Sequence, residues 1–213
     1  MSTAAVKRDV MQALEESVQR RSSQDSEAWH VLKAIGLPGN KTEEYKFTPV
    51  VRFLEKIEGL EFGATKTNAA SVAPLIPALP TNVLVIDQGR YNAKLSSFID
   101  PIKITVRPVS AMKGQQDPFE LLNLTLATEE IVVEIAQGSV IQNPIAIIHT
   151  SAGVANTVFM PRIFFNIGRE ASVTILDHAA GGTLLNNGYT YIGIAENAQV
   201  EFIQVQDQPD DIQ

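Results

Sequence analysis

The sequence predicts a mixed α and β fold, in which an N-terminal helical region and a small α/β region precede a β-solenoid. Apolar residues recur at spacings of three and four near the N-terminus, as in amphipathic helices. Lysine disappears after Lys113, where isoleucine, valine, asparagine and glutamine become dense. A short strand-turn-strand pattern then occurs three times, which indicates a repeat architecture. These observations divide the chain into residues 1–62, 63–130 and 131–213.

The helical region contains three predicted helices. The first covers residues 4–21, where the apolar positions fall on one face. Ser26 is a predicted N-cap of the second helix, and Gly36 ends it because glycine readily adopts the positive φ found at helix ends. Thr48 is a predicted N-cap of the third, with Pro49 at the first helical position, where the missing N–H costs nothing.

The middle region combines short strands with one helix. Residues 63–80 are rich in alanine, threonine and proline and predict an extended connector. Residues 83–91 read as an apolar strand that runs into a glycine turn, and residues 103–107 alternate like a half-buried strand. Asp117 begins a helix, and Glu120 supplies the acid of a capping box. This region is therefore predicted to be a small α/β unit.

The last third contains the repeat. Residues 135–140, 167–173 and 194–200 each have a strand ending in isoleucine, a small polar turn and a strand restarting at valine. The second and third copies are 27 positions apart, which suits one coil of a solenoid or one hairpin of a meander. Glycine and alanine at the turns favour the solenoid. The Asn186-Asn187-Gly188 sequence favours the meander, because Asn-Gly is a strong hairpin signal. We predict the solenoid.

Composition narrows the possible functions. The net charge of −7 argues against a broad basic surface for nucleic acid or anionic lipid. The chain has no cysteine, which excludes disulfides, thiolate metal ligands and cysteine nucleophiles. No apolar run approaches the roughly 20 residues that span a bilayer. The N-terminus also lacks the apolar core of a signal peptide. We therefore expect a cytoplasmic protein.

Residues that could carry catalysis are few. The histidines are His30, His149 and His178. Asp177 could orient His178 as a base, but neighbours in a strand point to opposite faces. No HExxH or similar metal-ligand spacing occurs. A carbohydrate-active β-helix enzyme would need several carboxylates on one face of stacked coils. The candidates for that role are Glu134, Glu170, Glu196 and Glu201.

One segment carries a family resemblance. Residues 36–49, Gly-Leu-Pro-Gly-Asn-Lys-Thr-Glu-Glu-Tyr-Lys-Phe-Thr-Pro, resemble the signature of SufD-like subunits of the SUF iron–sulfur cluster assembly system, the SufB/SufD family. Phe47 replaces a more usual tyrosine and Tyr45 a frequent tryptophan. The residues matched to the signature are Gly36, Leu37, Pro38, Lys41, Glu44, Lys46, Thr48 and Pro49. Three later segments follow in the family's order: residues 87–96 with an extra Gln88, residues 119–123 and residues 144–149.

The resemblance implies a fold and a function. The family's fold is an N-terminal helical region followed by a right-handed parallel β-helix, with helices at the C-terminus. The implied function is that of a non-catalytic scaffold subunit, which works with a SufB-like paralogue and a SufC-like ATPase. An Fe–S cluster is expected only at the level of the complex. No catalytic, cofactor or metal ligand carries over to this chain. The expected roles within the signature are structural: Thr48 caps a helix, and Glu44 and Lys46 brace the turn.

Family members are considerably longer than this chain. The later coils that pair with the paralogue, and the terminal helices that dock the ATPase, have no counterpart in the sequence. We therefore expect an incomplete solenoid whose open end forms a homodimer, because exposed strand edges associate. Two other functions stay open from the residues alone. One is the carbohydrate-active enzyme, and the other is a solenoid interaction module unrelated to iron.

Overall fold

The computed structural model describes residues 9–21, 23, 26–39, 42–63, 78–110, 114, 117–150, 156–180 and 185–207. Most of the predicted connector at 63–80 lies outside these residues. The helices are α1 (Val10–Arg20), α2 (Glu27–Ile35), α3 (Val50–Leu54) and α4 (Pro118–Leu126), with a 3-10 helix at Glu43–Tyr45. Within the described ranges, no helix is long and apolar enough to cross a membrane. Helices dominate the N-terminal part and strands the rest, as predicted.

The strands form three sheets. They are β1 (Glu61–Phe62), β2 (Asn82–Asp87), β3 (Arg90–Tyr91), β4 (Lys103–Arg107), β5 (Glu130–Ile135), β6 (Ile145–Thr150), β7 (Thr157–Phe159), β8 (Arg162–Ile167), β9 (Ser172–Ala180), β10 (Leu185–Asn186), β11 (Tyr189–Ile194) and β12 (Gln199–Asp207). The sheet orders are β11-β8-β5-β4, β12-β9-β6-β2-β3 and β1-β7-β10. Each strand from β5 to β9 pairs in parallel with the strand that comes three strands later in the chain.

The sequence repeat stacks copy on copy. Its strand-ending isoleucines are paired in register: Ile135 with Ile167, and Ile167 with Ile194. Three residues after each isoleucine the backbone has a positive φ, at Gly138, Glu170 and Asn197. Successive turns also lie very close together, because a Cβ on Gly168 would lie 2.5 Å from the backbone nitrogen of Gln137. The repeat therefore consists of equivalent turns packed directly on one another.

The parallel pairing rules out a meander of antiparallel hairpins in this part of the chain. Asn187 and Gly188 connect β10 to β11, yet those two strands belong to different sheets. The Asn-Gly signal therefore marks a corner between sheets and not a hairpin.

The predicted boundary near residue 130 does not separate two sheets. β4 pairs antiparallel with β5, and β2 pairs in parallel with β6. Both large sheets thus contain strands from either side of residue 130. The three-part division of the chain stays a prediction, but the sheets continue across its second boundary.

Side-chain caps fix the ends of three helices. The Ser26 side chain accepts a hydrogen bond from the Trp29 backbone nitrogen at 3.2 Å, and Gly36 ends α2 with a φ of 74°, as predicted. Asp117 caps α4 by accepting from two backbone nitrogens. Asp9 caps α1, so this helix begins at Val10, and residues 4–8 of the predicted helix lie outside the described residues. Asp9 itself is not helical, because its backbone is extended, with φ −70° and ψ 120°.

The predicted N-cap at Thr48 is wrong. Pro49 occupies the N-cap position of α3, with φ −76° and ψ 62°, and no side chain caps the helix. Those angles are typical of an inverse γ-turn. The Val50 backbone nitrogen accordingly donates to the Thr48 carbonyl at 2.7 Å. Because Pro49 is not helical, the Thr48 side chain is one residue too far from the helix to cap it.

Two apolar cores position the surface features described below. One lies between the two larger sheets and contains Ile147, Phe165 and Ile175. The other joins the first, second and fourth helices to the smallest sheet through Leu14, Leu122 and other side chains. Leu37, between α2 and α3, packs against this helical core.

Candidate functional site

The signature segment forms a cleft together with the start of α4. The cleft has a volume of about 630 Å³. Its apolar walls are Val31, Ile35, Leu37, Pro38 and Pro118, and its polar lining includes Thr42, Glu44, Tyr45 and Asp117. We call this feature the signature cleft. A smaller pocket of about 260 Å³ adjoins it and shares Pro38 and Tyr45. Part of the sequence signature therefore lines a surface cleft.

Tyr45 holds the cleft together. Its ring packs edge-on against Phe119, with 5.3 Å between the ring centroids. Its hydroxyl donates to the carboxylate of Asp117, which caps α4. Burial raises the pKa of Tyr45 to about 12, and the charges of Asp117 and Glu44 contribute to the rise. Tyr45 therefore stays protonated at neutral pH and acts as a fixed hydrogen-bond donor.

Of the two charged residues predicted to brace the turn, Lys46 is ion-paired within it. Lys46 forms its ion pair with Glu43 and not with Glu44, and its ammonium lies 5.0 Å from the centroid of the Phe47 ring. Glu44 is exposed and faces the cleft. Lys41 lies outside the described residues. The turn is thus braced by Glu43, which leaves the Glu44 carboxylate available to the cleft.

A second polar cluster lies inside the sheets. Asp177 pairs with His149, whose Nε2 lies 2.9 Å from Asp177 Oδ1, and both residues are buried. The Asn186 side-chain nitrogen lies 3.4 Å from the other ring nitrogen of His149. The neighbouring His178 lies on the opposite face of the strand, as the alternation predicted. The pair links β6 to β9.

The His149–Asp177 cluster lacks the third ligand side chain that a metal site would need among the described residues. Across the described ranges, no three or more His, Asp or Glu side chains are grouped so that they could hold a metal ion. A buried histidine and carboxylate fix each other's orientation. The visible effect of the pair is therefore to join neighbouring strands of the sheet.

The Asp87–Tyr91 segment is a tight hairpin. Gln88 and Gly89 both have positive φ, 52° and 81°, which suits the two-residue turn between β2 and β3. The side chain of Asp87 is buried, and neither carboxylate oxygen has a hydrogen-bond partner among the described residues. Burial therefore raises the pKa of Asp87, and the nearby Asn92 side chain offsets this only in part.

We predict opposite pH dependences for two Asp→Asn variants. The raised pKa of Asp87 means that its contribution to stability is present at low pH and is lost as the pH rises through the folded-state pKa. Asp87→Asn should therefore stabilise the protein at neutral pH relative to the wild type. The Asn82 amide lowers the pKa of Asp100, whose contribution is present at neutral pH and is lost on acidification. Asp100→Asn should destabilise the protein at neutral pH.

Urea unfolding between pH 3 and pH 8 checks both expectations. The stability gain of Asp87→Asn should shrink as the pH falls, and so should the stability loss of Asp100→Asn. Two variants that shift stability in the same direction at pH 7 would contradict the assignment of the two carboxyl groups.

Comparison with known proteins supports the resemblance in the signature. No family model matches the chain. The chain is similar to the iron–sulfur cluster assembly protein SufD of Escherichia coli (strain K12), with 26% identity over 206 residues. The match covers 87% of this chain and 46% of the relative, so the chain spans about half the length of the curated relative. The similarity to SufD therefore extends over most of this chain and agrees with the resemblance seen in residues 36–49.

Proposed function

We propose that the chain is a non-catalytic scaffold subunit in iron–sulfur cluster assembly, with the cluster as cargo of the complex. The similarity to the Escherichia coli assembly protein over 87% of the chain carries this proposal. The signature segment supports it, because its residues Gly36, Leu37, Pro38 and Glu44 line a surface cleft. The proposed location is the cytoplasm.

The proposal includes a finer description of the fold. The strands from β5 to β12 are the first coils of a right-handed parallel β-helix, in which three strands make one coil. The three sheets and the parallel pairing of every third strand support this description. A long, regular surface of this kind suits a subunit that works by binding other proteins.

The proposed partners are a SufB-like paralogue and a SufC-like ATPase. Anaerobic affinity purification from the native host, read by mass spectrometry and iron analysis, tests this proposal. The bait is the tagged chain extended to its natural stop codon. We expect both partners to co-purify with iron, while a tag-only control recovers neither. Recovery of neither partner with the full-length bait would contradict the scaffold role and favour an interaction module unrelated to iron.

We also predict that the chain of 213 residues self-associates through β12. Phe202, Ile203 and Val205 on this strand are 40%, 42% and 38% exposed. The outer edge of β12 has no strand partner among the described residues. Exposed apolar edges of this length tend to pair with another chain. Sedimentation velocity should show a dimer whose population rises with protein concentration.

The double variant Phe202→Lys and Ile203→Lys should shift the population to monomer, because charges on an edge strand oppose pairing. Phe47→Lys places one lysine on an exposed aromatic residue outside β12 and should leave the dimer unchanged. A monomer mass at every wild-type concentration would contradict the prediction.

A further inference from the structure

We propose that the signature cleft binds a short, basic and partly apolar peptide segment of a partner protein. The site is distinct from the strand edges and needs no iron. A test of this peptide site is therefore independent of any test of the proposed role in cluster assembly. Shape, apolar lining and charge each support the proposal.

The cleft is large enough and already formed. Its volume of about 630 Å³ lies within the roughly 300–1,000 Å³ of typical binding sites. Its walls are the end of α2, the 3-10 helix and the start of α4. The Tyr45 ring against Phe119 and the Tyr45 hydroxyl on Asp117 connect two of these walls. A preformed site of this kind orders few groups when a ligand binds.

The apolar lining is partly covered by the chain itself, and Ile35 is its most exposed residue. Ile35 is 52% exposed at the end of α2, although the rest of that helix buries its apolar face. Leu37 and Pro38 continue the apolar wall beyond the helix. Phe47, next to the cleft in sequence, is 87% exposed. Phe47 does not line the cleft, so the exposed apolar contact that the cleft itself offers to a partner is Ile35.

The charge of the cleft selects a basic ligand. Its charged residues are Glu44 and Asp117, and the described lining contains no basic side chain. Asp117 is fully engaged as the cap of α4 and as the acceptor of the Tyr45 hydroxyl. Lys46 is engaged with Glu43. Glu44 is therefore the acceptor for a ligand lysine or arginine, next to the apolar wall.

A random dodecapeptide library displayed on phage tests the proposal directly. The library is selected on the wild-type chain and counter-selected on the double variant Ile35→Lys and Glu44→Lys. We expect the selected peptides to be enriched in lysine or arginine and to contain at least one large apolar residue. Their affinity should fall as salt rises, because the charge contact is exposed.

Single variants then locate the binding site. Fluorescence polarisation with a selected peptide should show an affinity loss of about tenfold for Glu44→Lys and for Ile35→Lys, as at contact residues of an interface. Glu44→Gln should lose less, because it removes a charge without reversing it. Glu58 is exposed and lines neither pocket, so Glu58→Lys is the matched control and should bind like the wild type. Unchanged thermal unfolding confirms that each variant is folded.

Three outcomes would overturn the proposal. The first is a selection that yields no binding peptide from the folded wild-type chain. The second is a set of peptides with no basic enrichment. The third is a set of peptides that bind Glu44→Lys and Ile35→Lys as tightly as they bind the wild type.

Discussion

Replacing Glu130 by leucine is expected to lower the free energy of unfolding by about 3–5 kcal/mol. Glu130 and Arg162 are both fully buried, and their charged groups lie 3.5 Å apart. Glu130 also accepts from Arg107 at 2.8 Å and from the backbone and hydroxyl of Ser110. Removal of this carboxylate leaves the buried guanidinium of Arg162 without its counter-charge. The loss is a large share of the 5–15 kcal/mol typical of a folded domain.

Glu134→Leu provides the matched control. Glu134 lies on the same strand and the same face, and pairs with Lys103 at 2.5 Å, but both side chains are substantially exposed. Exposed pairs contribute about 0–1 kcal/mol. Urea unfolding followed by circular dichroism measures both variants. Equal losses in the two variants would contradict the role given to the buried network.

Phe165→Ala should cost a similar amount, about 3–5 kcal/mol, because it opens a cavity between the two larger sheets. Phe165 is 0% exposed and lies in register between Val133 and Ile192. Its neighbours belong to three stacked strands that cannot all move inward to fill the space. The same urea experiment measures the loss.

Phe47→Ala is the control for this second variant. With 87% of its surface exposed, Phe47 has little packing to lose, and its removal should change stability by no more than about 0.5 kcal/mol. A Phe165→Ala loss below about 1 kcal/mol would mean that the space between the sheets is not a packed core.

Local features of the fold could be predicted from the sequence where one residue decides the outcome. Ser26 and Asp117 carry the side-chain oxygen that an N-cap needs, and Gly36 tolerates the positive φ at the end of a helix. The repeat was equally informative, because its strand-ending isoleucines are paired in register.

Two local sequence signals differ from the structure, and both depend on backbone angles or on which sheet a strand joins. Thr48-Pro49 has the composition of a helix start, but the ψ of 62° at Pro49 displaces the helix by one residue. Asn187-Gly188 has the composition of a hairpin, but it joins strands of two sheets. In both cases the residues suit a turn, and tertiary pairing selects which turn forms.

The His149–Asp177 pair could not be found among sequence neighbours, because its members lie 28 positions apart. A usable signal was nevertheless present. That separation is close to the 27-residue spacing of the repeat copies, so residues one coil apart were candidates for contact. The signature cleft was harder to predict from the sequence, because one of its lining residues, Asp117, caps α4 and lies far from residues 36–49 along the chain.

β3 and β4 are edge strands of the two larger sheets, and the later strands are added at the opposite edges. Both are antiparallel to their neighbours and occupy the same end of the two larger sheets, and β4 carries the charged Lys103 and Arg107. In both sheets the strands from β5 onward are added one after another on the side away from β3 and β4, and β11 and β12 are the last of them. Synthesis on the ribosome also proceeds towards that end. Each later strand would thus leave the ribosome next to a finished template, so that folding can keep pace with translation.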